Sequence, residues 1–125
     1  MKKLSVLIID DSLFMRTILK NLIMQTGYCE IIGEGSTGYE AIEKAKTLQP
    51  DIITMDIVMP DLDGVLAVKE IKFSSNQSKI IMITSIGNSK VINDVKNLGV
   101  FDYLIKPLNQ DDVNKIIAKV IDQST

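Results

Sequence analysis

The chain has 125 residues, 46% of them hydrophobic and 24% charged, with a net charge of −2; this is the size and make-up of one packed domain (1–125) rather than of a disordered chain. Histidine is absent and cysteine occurs once, which excludes Ser-His-Asp and Cys-His catalysis, His-ligated zinc and an internal disulfide framework. The acidic balance argues against nucleic acid as main partner, and no apolar run approaches the ~20 residues of a membrane span.

Leu4 to Ile9 is a Val/Ile-rich run that stops at Asp10-Asp11-Ser12, which predicts a buried strand followed by helix-start residues. Apolar residues at Phe14, Ile18, Leu22 and at Met15, Leu19, Ile23 fall at helical spacing up to Thr26, and Gly27 closes that helix. Tyr28 to Glu34 reads as a second strand. Thr37-Gly38-Tyr39-Glu40 fits a capping box, and the helix it opens runs to Pro50. Asp51 to Ile57 is the third strand, with a turn at Pro60-Asp61-Leu62-Asp63-Gly64 and a helix carrying Val65, Leu66, Val68 and Ile71.

Ser74 to Ser78 reads as a polar loop. Lys79 to Thr84 is a fourth strand, apolar on both faces. Asn88 to Leu98 is a weaker helix ended by Gly99, and Val100 to Ile105 a fifth strand before Lys106-Pro107. Asn109 caps a last helix with a stripe of Val113, Ile116, Ile117, Val120 and Ile121. Five strand–helix units with continuous apolar strands imply an α/β fold, a parallel sheet sandwiched between helices. In such sheets ligands bind beyond the carboxyl ends of the strands.

Those ends carry a coherent set of side chains. Strand one supplies Asp10 and Asp11, strand three Asp56, strand four Thr84 and Ser85, and strand five Lys106. Clustered carboxylates repel unless a cation or protons intervene. Without His or Cys beside them they favour a hard ion such as Mg²⁺. A lysine and a hydroxyl opposite complete a pocket for a phosphoryl group, which one carboxylate is placed to accept.

The motifs Asp10-Asp11-Ser12, Met55-Asp56-Ile57-Val58-Met59-Pro60 with Gly64, Thr84-Ser85 and Lys106-Pro107 together resemble those of two-component response-regulator receiver domains, over the whole length of the chain. The resemblance implies a three-layer, doubly wound, flavodoxin-like (βα)5 fold with strand order 2-1-3-4-5. It implies that Asp56 is the phospho-acceptor. Asp11, Asp56 and the Val58 carbonyl would then be Mg²⁺ ligands, with Asp10 holding a metal-bound water. Lys106 would pair with the phosphoryl group, Thr84 would swing to bond it, and Tyr103 would be the switch aromatic. A cis Lys106–Pro107 bond is implied as well. Val58 and Ile86 occupy the positions that set the lifetime of the phosphoryl group; both are apolar, so slow self-dephosphorylation is expected.

The stretch from Asp10 to Arg16 is most similar to chemotaxis regulators and to the receiver of the chemotaxis methylesterase. Phe14 falls either beside the acidic pair or in the core of the first helix. The resemblance implies a cytoplasmic, monomeric signalling switch rather than an enzyme. Its partners would be a CheA-like histidine kinase, a flagellar or archaellar motor-switch or adaptor protein, and a phosphatase. No helix for reading nucleic acid and no membrane partner is expected. The chain ends just after the fifth helix, so output is expected through a surface of helix four, strand five and helix five that includes Lys90, Asn93, Asp94, Tyr103 and Lys106-Pro107-Leu108. Other roles remain open: a relay intermediate or phosphate sink, or a receiver cut from a larger regulator. An aspartate-nucleophile phosphatase fits less well, because its two aspartates would be separated by one residue. A flavodoxin would need a phosphate loop where the acidic pair stands.

Overall fold

The computed structural model describes residues 2–58, 64–75, 77–85 and 89–124. Among them, strands and helices alternate as β1 (Leu4–Ile9), α1 (Leu13–Met24), β2 (Cys29–Gly35), α2 (Gly38–Leu48), β3 (Ile52–Asp56), α3 (Gly64–Ser74), β4 (Lys79–Ser85), α4 (Ser89–Lys96), β5 (Asp102–Lys106) and α5 (Gln110–Ser124). The strands form one sheet in the order β2-β1-β3-β4-β5, every neighbouring pair parallel. This is the doubly wound, flavodoxin-like arrangement.

Alternate residues of the strands feed two cores. Leu7, Ile9, Ile53, Met55, Ile80 and Met82 pack with Ala41 and Ala45 of α2 and Ala67, Val68 and Ile71 of α3. On the other face Val6, Ile8, Ile52, Ile81 and Ile83 pack with Leu19 and Ile23 of α1 and Val113, Ile116, Ile117 and Val120 of α5. Burial on both faces is why these strands read as unbroken apolar runs. Each fully buried side chain of this size stabilises the fold by about 1.5–3 kcal/mol relative to exposure.

Helix ends follow the expected chemistry. Ser12 Oγ accepts the Met15 N–H at 3.2 Å, and Gly27 leaves the helix at φ 83°. Thr37 Oγ1 accepts the Glu40 N–H at 3.0 Å, while the Glu40 carboxylate reaches back to the Ser36 hydroxyl at 3.0 Å. The chain passes Gln49 in the left-handed region at φ 47°. The side-chain amide of Gln49 donates to the carbonyls of Ala45, Lys46 and Ser74, which ties that turn to the end of α3. Asn109 Oδ1 accepts the Asp112 N–H at 2.9 Å and caps α5. The Lys106–Pro107 peptide is cis.

Two local readings change, and one irregularity is new. Ser75 and Ser78 are buried rather than part of a solvated loop, because their hydroxyls bond each other at 2.7 Å and Ser78 also donates to the Pro50 carbonyl. β5 begins only at Asp102: Val100 and Phe101 cover the two cores, with the Phe101 N–H on the Ile80 carbonyl at 2.8 Å. β1 and β2 are out of simple step, since Val6 faces Ile31 but Leu7 faces Gly33. Ile32 is the extra residue of a bulge on this edge strand.

Candidate functional site

Because β1, β3, β4 and β5 are adjacent and parallel, their carboxyl ends form one row. Asp10 follows β1, Asp56 closes β3, Thr84 stands next to last in β4, and Lys106 is the final paired residue of β5, opposite Ser85. Asp10, Asp11 and Asp56 each offer a carboxylate oxygen, and the three oxygens lie within 4.8 Å of one another. Asp10 and Asp56 are 5% and 7% exposed, whereas Asp11 is open to solvent.

Both oxygens of Asp56 are held. Lys106 Nζ donates to Oδ2 at 2.9 Å, and the Val58 N–H donates to Oδ1 at 3.0 Å. Asp10 Oδ1 accepts the Ser12 N–H at 2.9 Å. Burial pushes the Asp10 carboxyl above the usual carboxylate range; the Ser12 amide opposes this, the Asp56 charge adds to it, Lys106 opposes it and Asp11 adds to it. Burial works against the charge of Lys106, but the hydrogen bond to Asp56 and the charges of Asp56, Asp10 and Asp11 outweigh it and hold the ammonium above its usual range. Three carboxylates against one cation leave an excess of negative charge in a largely buried site. Hard oxygen donors in that arrangement suit a divalent cation such as Mg²⁺.

The structure thus brings Asp10, Asp11, Asp56 and Lys106 together. Thr84 is buried on the next strand, and its hydroxyl donates to the Ser85 carbonyl at 3.3 Å. Tyr103 lies further back on β5, half-buried against the α2–α3 core, with Lys96 Nζ 4.8 Å from its ring centroid. Val58 turns its amide onto Asp56 and leaves its side chain 69% exposed at the rim. Phe14 is 70% exposed beside the equally open Leu13: the first turn of α1 overhangs the acidic end of the sheet, so Phe14 is not a core residue. Met59, Pro60, Asp61, Leu62, Asp63, Ile86 and Asn88 lie outside the described residues.

Sequence reasoning missed Arg16 and Glu34. Arg16 Nη1 donates to the Asp10 carbonyl at 2.6 Å, and its Nε donates to Glu34 Oε1 at 3.2 Å. Glu34 sits at the end of β2, which the strand-end reading left out of the site. The available signal was an arginine one helical turn after the acidic pair.

The family described as response regulator receiver domain matches residues 6–118. The chain belongs to this family. The receiver is 42% identical over 115 residues to the chemotaxis protein CheY of Thermotoga maritima, spanning 92% of this chain and 95% of that one. Over 116 residues it is 39% identical to the chemotaxis protein CheY of Bacillus subtilis, spanning 93% and 96%. Among solved structures, it is similar to a chain of the CheX-CheY-BeF3-Mg complex from Borrelia burgdorferi. The TM-score is 0.87 at 30% identity, over 96% of this chain and 90% of that one. The chain is therefore a two-component receiver close to chemotaxis regulators, and its acidic cluster fits Mg²⁺. Among the described residues, no helix is long and apolar enough to cross a membrane.

Proposed function

We propose that this receiver, acting as one unit over residues 1–125, is a switch set by phosphorylation of Asp56. The observation that carries the reading is the hold on Asp56: Lys106 at 2.9 Å on one oxygen, the Val58 amide on the other, and two further carboxylates within 4.8 Å. A carboxylate fixed in this way is pre-oriented to attack. Asp11, Asp56 and the Val58 carbonyl would hold Mg²⁺, with Asp10 alongside. The ion, when bound, would neutralise phosphoryl oxygens.

The donor is a partner histidine kinase carrying a phosphohistidine. An Asp56 oxygen forms the new P–O bond while the P–N bond breaks and its electron pair returns to the imidazole. The acyl phosphate carries about −1.5 to −2 of charge in place of the single charge of the carboxylate. Lys106 is placed to follow that charge from the carboxylate to the phosphoryl oxygens, and Thr84 can offer its hydroxyl from β4. A shift of Thr84 would alter the packing next to Tyr103 and so bias the face of α4, β5 and α5, a coupling between two states. Lys90, Asn93 and Asp94 are exposed on that face. The neighbour solved with BeF3 and Mg and the CheY relatives support a chemotaxis setting. In that setting the output partner is a motor-switch or adaptor protein, a phosphatase resets the switch, and the protein works as a cytoplasmic monomer.

Intact mass after incubation with Mg²⁺ and a small phosphodonor tests this. The expected result is a gain of one phosphoryl group that does not form in the presence of a chelator and is absent in Asp56→Asn. No gain with several donors and a cognate kinase would overturn the reading.

A further inference from the structure

Arg16 closes the first turn of α1 with its own N–H on the Ser12 carbonyl at 3.0 Å, and then folds its side chain back toward the sheet. One guanidinium arm bonds the Asp10 carbonyl at 2.6 Å and another part of the same plane bonds Glu34 at 3.2 Å. The side chain is only 15% exposed, so this fork is packed in place. Glu34 is itself anchored: Lys20 Nζ reaches its other oxygen at 2.5 Å, and Lys44 donates to its backbone carbonyl.

The oxygen that Arg16 grips belongs to the peptide joining Asp10 to Asp11. On the other side of Asp10, its N–H donates to the Gly35 carbonyl at 3.0 Å. The acidic pair is therefore tied to the end of β2 twice, once directly through Gly35 and once through Glu34 and Arg16. We propose that Arg16 is a positioning residue: its guanidinium sets the plane of the Asp10–Asp11 peptide, and thereby aims the Asp11 carboxylate into the metal site. This rests on the reading of Asp10, Asp11 and Asp56 as the metal-holding group.

Geometry, not charge, carries the effect. The guanidinium meets the backbone oxygen of Asp10, while the carboxylate oxygen Oδ1 takes the Ser12 N–H. A planar guanidinium serves two acceptors at a fixed angle, whereas an ammonium on a flexible stem does not. Lysine at this position would keep the cation and lose the clamp.

The test is binding of Mn²⁺, followed by the electron paramagnetic resonance signal of the free ion, to the full chain and to Arg16→Lys, Glu34→Gln and Lys20→Met. Arg16→Lys is expected to weaken Mn²⁺ binding about tenfold, as loss of a residue that orients a ligand does. The metal concentration giving half the maximal rate of phosphorylation by a small donor should rise by the same factor, while the rate at saturating metal stays that of the parent. Lys20→Met, which cuts Glu34 but leaves Arg16 on Asp10, should bind like the parent. A folded Arg16→Lys with parental affinity would overturn the proposal, and so would an equal loss in Lys20→Met, which would trace the effect to general weakening of α1. If Arg16→Lys does not fold, Glu34→Gln decides: a smaller loss of affinity supports the clamp and parental affinity removes it. A parent chain that binds no Mn²⁺ would instead overturn the metal reading, and this inference with it.

Discussion

Gly64 presses its bare α-carbon against Ile57: a Cβ there would lie 2.4 Å from the Ile57 carbonyl oxygen. Backbone cannot yield as a flexible side chain does, and Ile57 is further pinned by its N–H on the Ile83 carbonyl at 3.0 Å. Gly64→Ala must therefore displace either the start of α3 or the residue beside Asp56. The expected cost is about 1–3 kcal/mol, the range for overpacking, read as a lower urea midpoint. Unchanged stability would mean that the close approach relaxes freely.

Thr54 carries the opposite kind of flaw. It is buried between Ile8 and Ile81 on neighbouring strands, and its hydroxyl has no hydrogen-bond partner among the described residues. Valine has nearly the same shape and no polar atom to desolvate. Thr54→Val is expected to raise stability by about 1 kcal/mol, the low end of the cost of an unsatisfied buried group. A lower unfolding midpoint in this variant would show that the hydroxyl is satisfied in solution.

The Arg16–Glu34–Lys20 network predicts a pH dependence. The Lys20 hydrogen bond holds the Glu34 carboxyl below its usual range; burial opposes this, and the charge of Lys20 and the Arg16 contacts reinforce it. The folded-state pKa is thus below the unfolded one. Stability from this group is present above the unfolded value, about 4.5, and is lost as pH falls through the folded value. Glu34→Gln should be less stable than the parent at pH 7 by about 1 kcal/mol or less, since the pair is partly solvated. The gap should close on acidification. Urea titrations down the acid limb measure it, and a gap that does not change with pH would refute the assignment.

Val58 stands at the rim of the site with an apolar side chain that cannot orient water toward a phosphorylated Asp56. Val58→Asn supplies a donor and an acceptor at that place. Loss of the phosphoryl group should accelerate roughly tenfold, less than a fully positioned group provides, with phosphorylation by small donors little altered. Decay followed by intact mass decides between this and equal lifetimes.

The sheet was legible because its strands are buried on both faces: runs such as Val6-Leu7-Ile8-Ile9 and Ile80-Ile81-Met82-Ile83 have no polar face to mistake for anything else. Asp10, Asp11, Asp56 and Lys106 were legible for a related reason, since parallel topology gathers strand ends whatever their spacing in sequence. Contacts made sideways between elements carry no such period. Arg16 and Glu34 are 18 residues apart on a helix and a strand, and no pattern announces their meeting. Ser75 and Ser78 looked like a solvated loop because composition alone does not reveal that two hydroxyls and a carbonyl can satisfy one another inside. Phe14 fitted the helical stripe, yet lies beyond the end of the sheet where no core remains to receive it.

The extra residue at Ile32 acquires its meaning from that same network. Across β1 and β2, paired residues point to the same face. The bulge sets Glu34 opposite Ile8, on the side of α1, instead of opposite Ile9, on the side of α2. Were Ile32 paired with Leu7 in unbroken register, Glu34 would turn its carboxylate away from Arg16 and Lys20 and toward the other core. Position 32 is therefore constrained by staying out of the ladder rather than by its side chain: if Ile32 took the place opposite Leu7, every residue that follows would change faces and the acidic pair would come loose from its brace, whereas removing it would straighten the strand and keep Glu34 opposite Ile8.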